Sequence, residues 1–316
     1  MRSTASREAE SRSAESASHG GTSDSLLAWY FVIVWGSGYL ASKLGLHYAA
    51  PFTFLTLRFA FGVACMLVLV ALLRPRWPSS KREFLHIVAA GALMHVGNLG
   101  GSHYAQYLGM SAGIAAVILA IQPLLTALIG SLFGGNERLQ ARQWAGIAIG
   151  LVGVALVVWH KIDVDAASAA SLIAVSIALV SITIGTLYQR RYCPRVDLRS
   201  AGLIQFAAAT IVFAPFAIGI EGFVVVWDWR LFAAIGFLVV FASIGAVNAL
   251  HTLMRHGAAT RVTSLLYLTP IVAVFLEWVL FGVVPAALSI AGIAITCAGV
   301  ALVTWHRRTA VAEVET

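Results

Sequence analysis

The sequence predicts an all-α membrane protein, ten transmembrane helices arranged as two inverted five-helix repeats. Three observations lead there. The chain is 59% hydrophobic and 11% charged, far from the roughly 25% charged residues of soluble domains, and its mean hydropathy is +0.86. Ten apolar runs approach the length of about 20 residues that crosses a hydrocarbon core. Finally, "AGIAIGLVGVALVVWH" at 145–160 returns at 291–306 as "AGIAITCAGVALVTWH", with twelve of sixteen positions identical. A unit repeated twice in one chain implies duplication. Because five is odd, a five-helix unit that starts inside ends outside, and its copy must be inserted upside down.

Taken in order, residues 1–25 are Ser/Ala/Glu/Arg-rich without an apolar run and are expected to form a disordered cytoplasmic tail. The spans are expected at 26–46, 53–73, 86–106, 112–133 and 143–160 in a first repeat, 26–160. Those of a second repeat, 161–306, are expected at 169–189, 200–220, 231–252, 261–281 and 287–305, followed by a tail at 307–316. The first run is too long for a signal-peptide core and is kept as a span. Glycine runs through these segments, as close helix approach in lipid requires.

Basic residues fix the expected orientation. The side shared by both termini holds fourteen: Arg74, Arg76, Lys81, Arg82, Arg138, Arg142, Arg190, Arg191, Arg195, Arg199, Arg255, Arg261, Arg307 and Arg308. Opposite them stand Lys43, Lys161 and Arg230. The bias places both termini in the cytoplasm, and it accounts for the net charge of +7 without a nucleic-acid partner. Arg58 is left over, inside the second span, and is expected to snorkel to the outer surface.

Cys65, Cys193 and Cys297 are odd in number and widely spaced, so no disulfide framework or metal site follows. No nucleophile–base pair, phosphate-binding loop or cofactor motif is visible. The chain reads as a non-enzyme needing no cofactor, with the bilayer and a small-molecule substrate as its partners.

Pro123 and Pro270 stand near mid-membrane, 147 positions apart. Each removes an amide donor and crowds the carbonyl four residues back, at Leu119 and Leu266, so both are hinge candidates, with a kink needed only for packing as the alternative. His95 and Asn98 lie near the centre of the third span on one face. They offer donors and acceptors to a zwitterionic or polyol-like solute, or hydrogen bonds that merely hold helices together. Trp35, Gln122 and Tyr267 complete a candidate binding ring at the same depth. Glu277, the one carboxylate well inside a predicted span, is expected to favour its protonated form unless a cation is near and is a proton-coupling candidate; pairing with a neighbouring helix or with an outer vestibule water is the alternative. Asn248 and His251, at the cytoplasmic end of the eighth span, are gate candidates.

"WGSGYLASK" (35–43), "PFTFLTLRFA" (51–60), "GMSAGIAAVILAIQPLLTAL" (109–128), "ERLQARQWAGIAIGLVGVALV" (137–157) and "GAATRVTSLLYLTPIVAVFLEWVLFG" (257–282) resemble the EamA-type transporters of the drug/metabolite transporter (DMT) superfamily. The resemblance covers residues 26 to 306. It implies a multi-pass carrier of the bacterial inner membrane, commonly an exporter of amino acids or other small metabolites. Members carry a glutamate after the fourth and ninth helices; here Glu137 has it and Val283, 146 positions later, does not. The function expected is secondary active or facilitative transport by alternating access. Sugar-phosphate or nucleotide-sugar exchange is the alternative within transport; a membrane-embedded enzyme or scaffold is the alternative outside it.

Overall fold

The structure is a computed structural model that describes residues 3–133, 140–159, 166–255 and 268–304. Apart from one isolated bridge between Ala49 and Val225, the regular structure among the described residues is helical. In the first half α1 is Ser3–Leu46, α2 Pro51–Leu73, α3 Lys81–Gly91, α4 Asn98–Tyr107, α5 Ala112–Leu119, α6 Gln122–Phe133 and α7 Ala141–Trp159. In the second, α8 is Ala166–Tyr192, α9 Leu198–Gly219, α10 Trp229–Gly236, α11 Val247–Arg255, α12 Thr269–Phe281 and α13 Ala287–Thr304. Among the described residues six helical stretches are long and apolar enough to cross a membrane, while 112–126, 141–157, 269–281 and 287–302 are shorter apolar helices.

Helix α1 begins at Ser3, where the sequence led us to expect a disordered tail. Alanine, glutamate and arginine are good helix formers, and the apolar stretch that follows from Ser25 spares the segment a separate nucleation step. Helix starts use ordinary chemistry. Ser80 accepts from the Glu83 amide at 3.1 Å while Glu83 accepts from the Ser79 amide, a reciprocal cap at the start of α3. Asp197 and Asp228 cap α9 and α10 by accepting from the amides of Arg199 and Arg230.

Two features were not anticipated. The long helix through 81–107 passes through a π-helical segment, Ala92–Gly97, between α3 and α4. The helix through 229–255 does the same at Phe237–Ala246 between α10 and α11. The two segments stand at matching places in the two halves.

The described parts of the two repeated segments pack against each other, α7 on α13, in the most extensive helix pairing among the described residues. A Cβ added at Gly153 would meet the Thr296 amide nitrogen at 2.5 Å and the Gly292 carbonyl at 2.7 Å. One added at Gly299 would meet the Gly150 nitrogen at 2.4 Å and the Gly146 carbonyl at 2.7 Å. The numbering therefore rises along one helix as it falls along the other, so the pair is antiparallel. With the offset of 146 between the copies, the first set of contacts becomes the second. The contact is isologous, as between two copies related by a two-fold axis.

Candidate functional site

The two π segments face matched neighbours from the opposite half. Gly185 of α8 lies against Leu93 and Met94 of the first, and Gly38 of α1 lies against Leu238 of the second. A π-helical turn bonds each amide one carbonyl further back than an α-helix and recurs at functional sites. Here it carries His95 and ends at Asn98.

Around His95 the structure assembles a polar core that crosses between the halves. His95 Nε2 lies 3.3 Å from Gln205 Oε1 of α9, and the imidazole packs edge-on against Phe59 and Phe206. Arg58 of α2 does not snorkel. It is 7% exposed, its guanidinium is 5.7 Å from the Phe59 ring centre, and Nη2 donates to Ser243 Oγ at a long 3.4 Å. Packing by Phe59 and the hydroxyl of the second π segment hold it inside, against the expectation from depth alone. His103 of α4, almost fully buried, stacks on Phe54.

Asn98 donates to the Met94 carbonyl, and its buried Oδ1 has no partner among the described residues. Gln122 donates to Thr126 of its own helix and to Thr186 of α8, both at 3.2 Å. Pro123 is the second residue of α6, after a break at Ala120–Ile121 that ends α5 at Leu119. Pro270 is the second residue of α12. The prolines thus stand at helix starts, where their missing amide costs least, rather than inside continuous helices. Trp35 remains 39% exposed and packs on Phe31. Asn248 is exposed and donates to the Ile244 carbonyl of its own helix. His251 falls on α11, its side chain outside what is described, and Tyr267 lies outside the described residues.

Glu277 is not isolated from charge, contrary to the premise of its coupling role. Its carboxylate meets Lys43 Nζ at 2.7 Å. It also accepts from Ser111 Oγ at 2.9 Å and from the amides of Ala112 and Gly113 at 3.1 and 2.8 Å. A carboxylate at the first turn of α5 satisfies orphan amides and opposes the helix dipole. Glu221 does the same for α2, accepting from the amides of Phe52 and Thr53 at 3.0 and 2.7 Å and from the Thr53 hydroxyl. In both cases the acid belongs to the second half and the capped helix to the first. Tyr48 adds a tie from the same end: its hydroxyl accepts from Arg230, and its carbonyl accepts from the Val226 amide.

At the opposite end, the start of α3 and the turn between α8 and α9 enclose a cleft of about 510 Å³ lined by Ser79, Arg82, His86, Tyr192, Cys193 and Arg195, among others. His86 Nδ1 is 2.7 Å from the Tyr188 hydroxyl, and Ser200 donates to the Arg76 carbonyl. Cys193 is buried, and burial, reinforced by the Glu83 carboxylate, pushes its thiol above the ordinary range. No disulfide involves it.

Comparison with known proteins addresses this architecture directly. The description "EamA-like transporter family" matches the chain twice, at residues 23–159 and 169–305. The chain belongs to the EamA-like transporter family. Among its relatives, the uncharacterized inner membrane transporter YedA of Escherichia coli (strain K12) is 29% identical over 264 residues, covering 80% of this chain and 85% of that one. A probable amino-acid metabolite efflux pump of Salmonella typhimurium (strain LT2) is 25% identical over 285 residues, covering 87% and 93%. A solved structure described only as "Crystal structure of protein" shares the fold at a TM-score of 0.62 and 19% identity, covering 89% of this chain and 97% of that one. Family membership and these names indicate a membrane transporter, not an enzyme.

In this EamA-like chain, sequence reasoning missed Gln205, Ser243 and Glu221, each a single polar residue in an apolar run. It saw Arg58 and sent it the wrong way. A signal was present: snorkelling suits a long side chain near a helix end, yet Arg58 stands seven residues into α2.

Proposed function

We propose that this EamA-like protein is a secondary carrier of the bacterial inner membrane that exports small metabolites, such as amino acids, by alternating access. The ten apolar stretches are then its ten spans, the two units are inverted, and both termini lie in the cytoplasm. The observation that carries this reading is the isologous, antiparallel seam of α7 and α13. Inverted repeats are a carrier architecture in which the solute site lies at mid-membrane between the halves, and neither a scaffold nor a surface enzyme calls for one. The arginine bias and the names of the relatives support the orientation and the membrane.

The solute site is proposed at the level of His95 and Asn98, with Gln122, Trp35 and Tyr267 contributing to its walls and the breaks at Pro123 and Pro270 serving as hinges. Asn98 Oδ1, buried and unpartnered among the described residues, offers an acceptor to an amino group. Asn248 and His251 remain gate candidates near the cytoplasmic end of the eighth span. Proton coupling through Glu277 now requires the ion pair with Lys43 to open during the cycle; in the observed state Glu277 ties the halves together.

Counterflow of labelled amino acids, sugars, sugar phosphates and cationic drugs in proteoliposomes tests the reading. Trans-accumulation of an amino acid or similar metabolite is the expected result. Absence of exchange for every class, with protein correctly inserted, overturns it.

A further inference from the structure

We propose that Arg58 is the anion-recognition point of the solute site and that the solute it takes carries a carboxylate; this rests on the carrier reading above. Arg58 stands about 10 Å along α2 from its start, at 1.5 Å per residue, and is 7% exposed. Its Nε has no hydrogen-bond partner among the described residues, and its one polar contact there is the 3.4 Å bond from Nη2 to Ser243. Among the described residues no carboxylate pairs with it, the ion pair present there being that of Lys43 with Glu277. Glu221, at the start of the same helix, is occupied by the amides of Phe52 and Thr53.

A guanidinium retained purely for structure is expected to have its donors satisfied, because an uncompensated buried charge is strongly destabilising. This one is not satisfied, and the facing helix α4 also carries buried polar atoms without partners among the described residues. His103 is 2% exposed, and neither ring nitrogen makes a well-formed hydrogen bond among the described residues. Both polar atoms of Gln106, one turn further on, lack partners among the described residues as well. His95 packs on Phe59, the residue next to Arg58, and His103 stacks on Phe54, one turn before it on α2, so the three groups share one neighbourhood. Donors held there without acceptors fit an anionic group that comes and goes.

Charge matching selects the anion. A carboxylate presents one negative charge and two oxygens to the guanidinium fork. A phosphate monoester carries about −1.5 to −2 and wants a second fixed cation. The other basic side chains sharing this neighbourhood are imidazoles, which need not be charged.

The test uses the full-length protein in proteoliposomes and in detergent, with the twenty amino acids each set beside its amide, and sugar phosphates and simple amines as further arms. Counterflow and ligand-induced thermal stabilisation are both read. The expected result is that at least one amino acid is taken about ten- to hundredfold better than its amide, the range of a hydrogen-bonded charge pair, and that Arg58→Gln reduces this ratio to near one. Arg58→Lys, which keeps the charge but loses the fork, should retain a reduced ratio and serves if Arg58→Gln does not fold. An acid-to-amide ratio unchanged in the variants, or near one in the wild type, overturns the proposal while exchange itself upholds the carrier reading. Preference for sugar phosphates or amines over every amino acid also overturns the carboxylate alone. Absence of exchange for all arms overturns the carrier reading and this one with it.

Discussion

Replacing Gly153 by alanine tests the seam on which the architecture depends. The added methyl would stand 2.4 Å from Thr296 Oγ1, 2.5 Å from its nitrogen and 2.7 Å from the Gly292 carbonyl. Two of those three atoms are backbone, so no side-chain rotation relieves the clash. Restoring an ordinary contact of about 3.5 Å requires α7 and α13 to part locally by roughly 1 Å, which forfeits a quarter to a half of each contact around it. Overpacking of this kind costs about 1–3 kcal/mol. Gly299→Ala meets the repeat-equivalent atoms at 2.4 and 2.7 Å and should cost the same. Gly236, where an added methyl would meet nothing within 4 Å, should accept alanine without loss. SDS-titration or thermal unfolding of the three purified variants provides the measurement. Equal losses in the first two and none in the third are expected. A wild-type midpoint for Gly153→Ala, or a loss confined to one of the pair, would refute the two-fold-related contact.

Other outcomes follow from the ends and the site. Glu277→Gln and Lys43→Met should each lose about 1–3 kcal/mol, as for hydrogen bonds to charged groups, and the double variant should lose less than the sum; strict additivity in unfolding would mean that the pair contributes nothing. For orientation, Arg195→Cys in a Cys193→Ser background places a thiol at an exposed position that should react with an impermeant maleimide in inverted vesicles and not in intact cells; the reverse pattern overturns the cytoplasmic assignment. Native Cys193 should label slowly even in inverted vesicles. Thiolate is the reactive form and the thiol is pushed upward, so its rate should still be climbing with pH above the ordinary thiol range, where a plateau would contradict its burial. Asn98→Ala and Gln122→Ala should each weaken solute binding about two- to tenfold, the size of one neutral hydrogen bond; unchanged affinity with lowered stability would make them helix-holding groups.

Much of the fold was legible because membrane helices announce themselves by apolar length, and because the 145–160 and 291–306 segments still agree at twelve of sixteen positions. What periodicity does not encode is the local departure from it. The π segments around His95 and Ser243 arise where carbonyl acceptors shift by one residue, and nothing in "ALMHVG" or "FLVVFASIGA" marks that shift. Long-range pairings were also hidden. Lys43 and Glu277 are separated by 234 positions, so Glu277 looked solitary when only its own helix was considered. Arg58 was misplaced because depth suggested an escape route to the surface, whereas tertiary packing by Phe59 and Ser243 closed it.

The π segments carry a mechanical consequence. In each, the extra residue belongs to no fixed position: exchanging amide acceptors one at a time, from five residues back to four, passes the irregularity along the helix while every neighbouring bond stays made. Each step turns the side chains it passes by about 100°, the rotation of one residue in a helix of 3.6 per turn. His95 and Ser243, both within such segments, can therefore be re-aimed relative to Arg58 without either helix unwinding, a screw-like adjustment available at matching places in both halves.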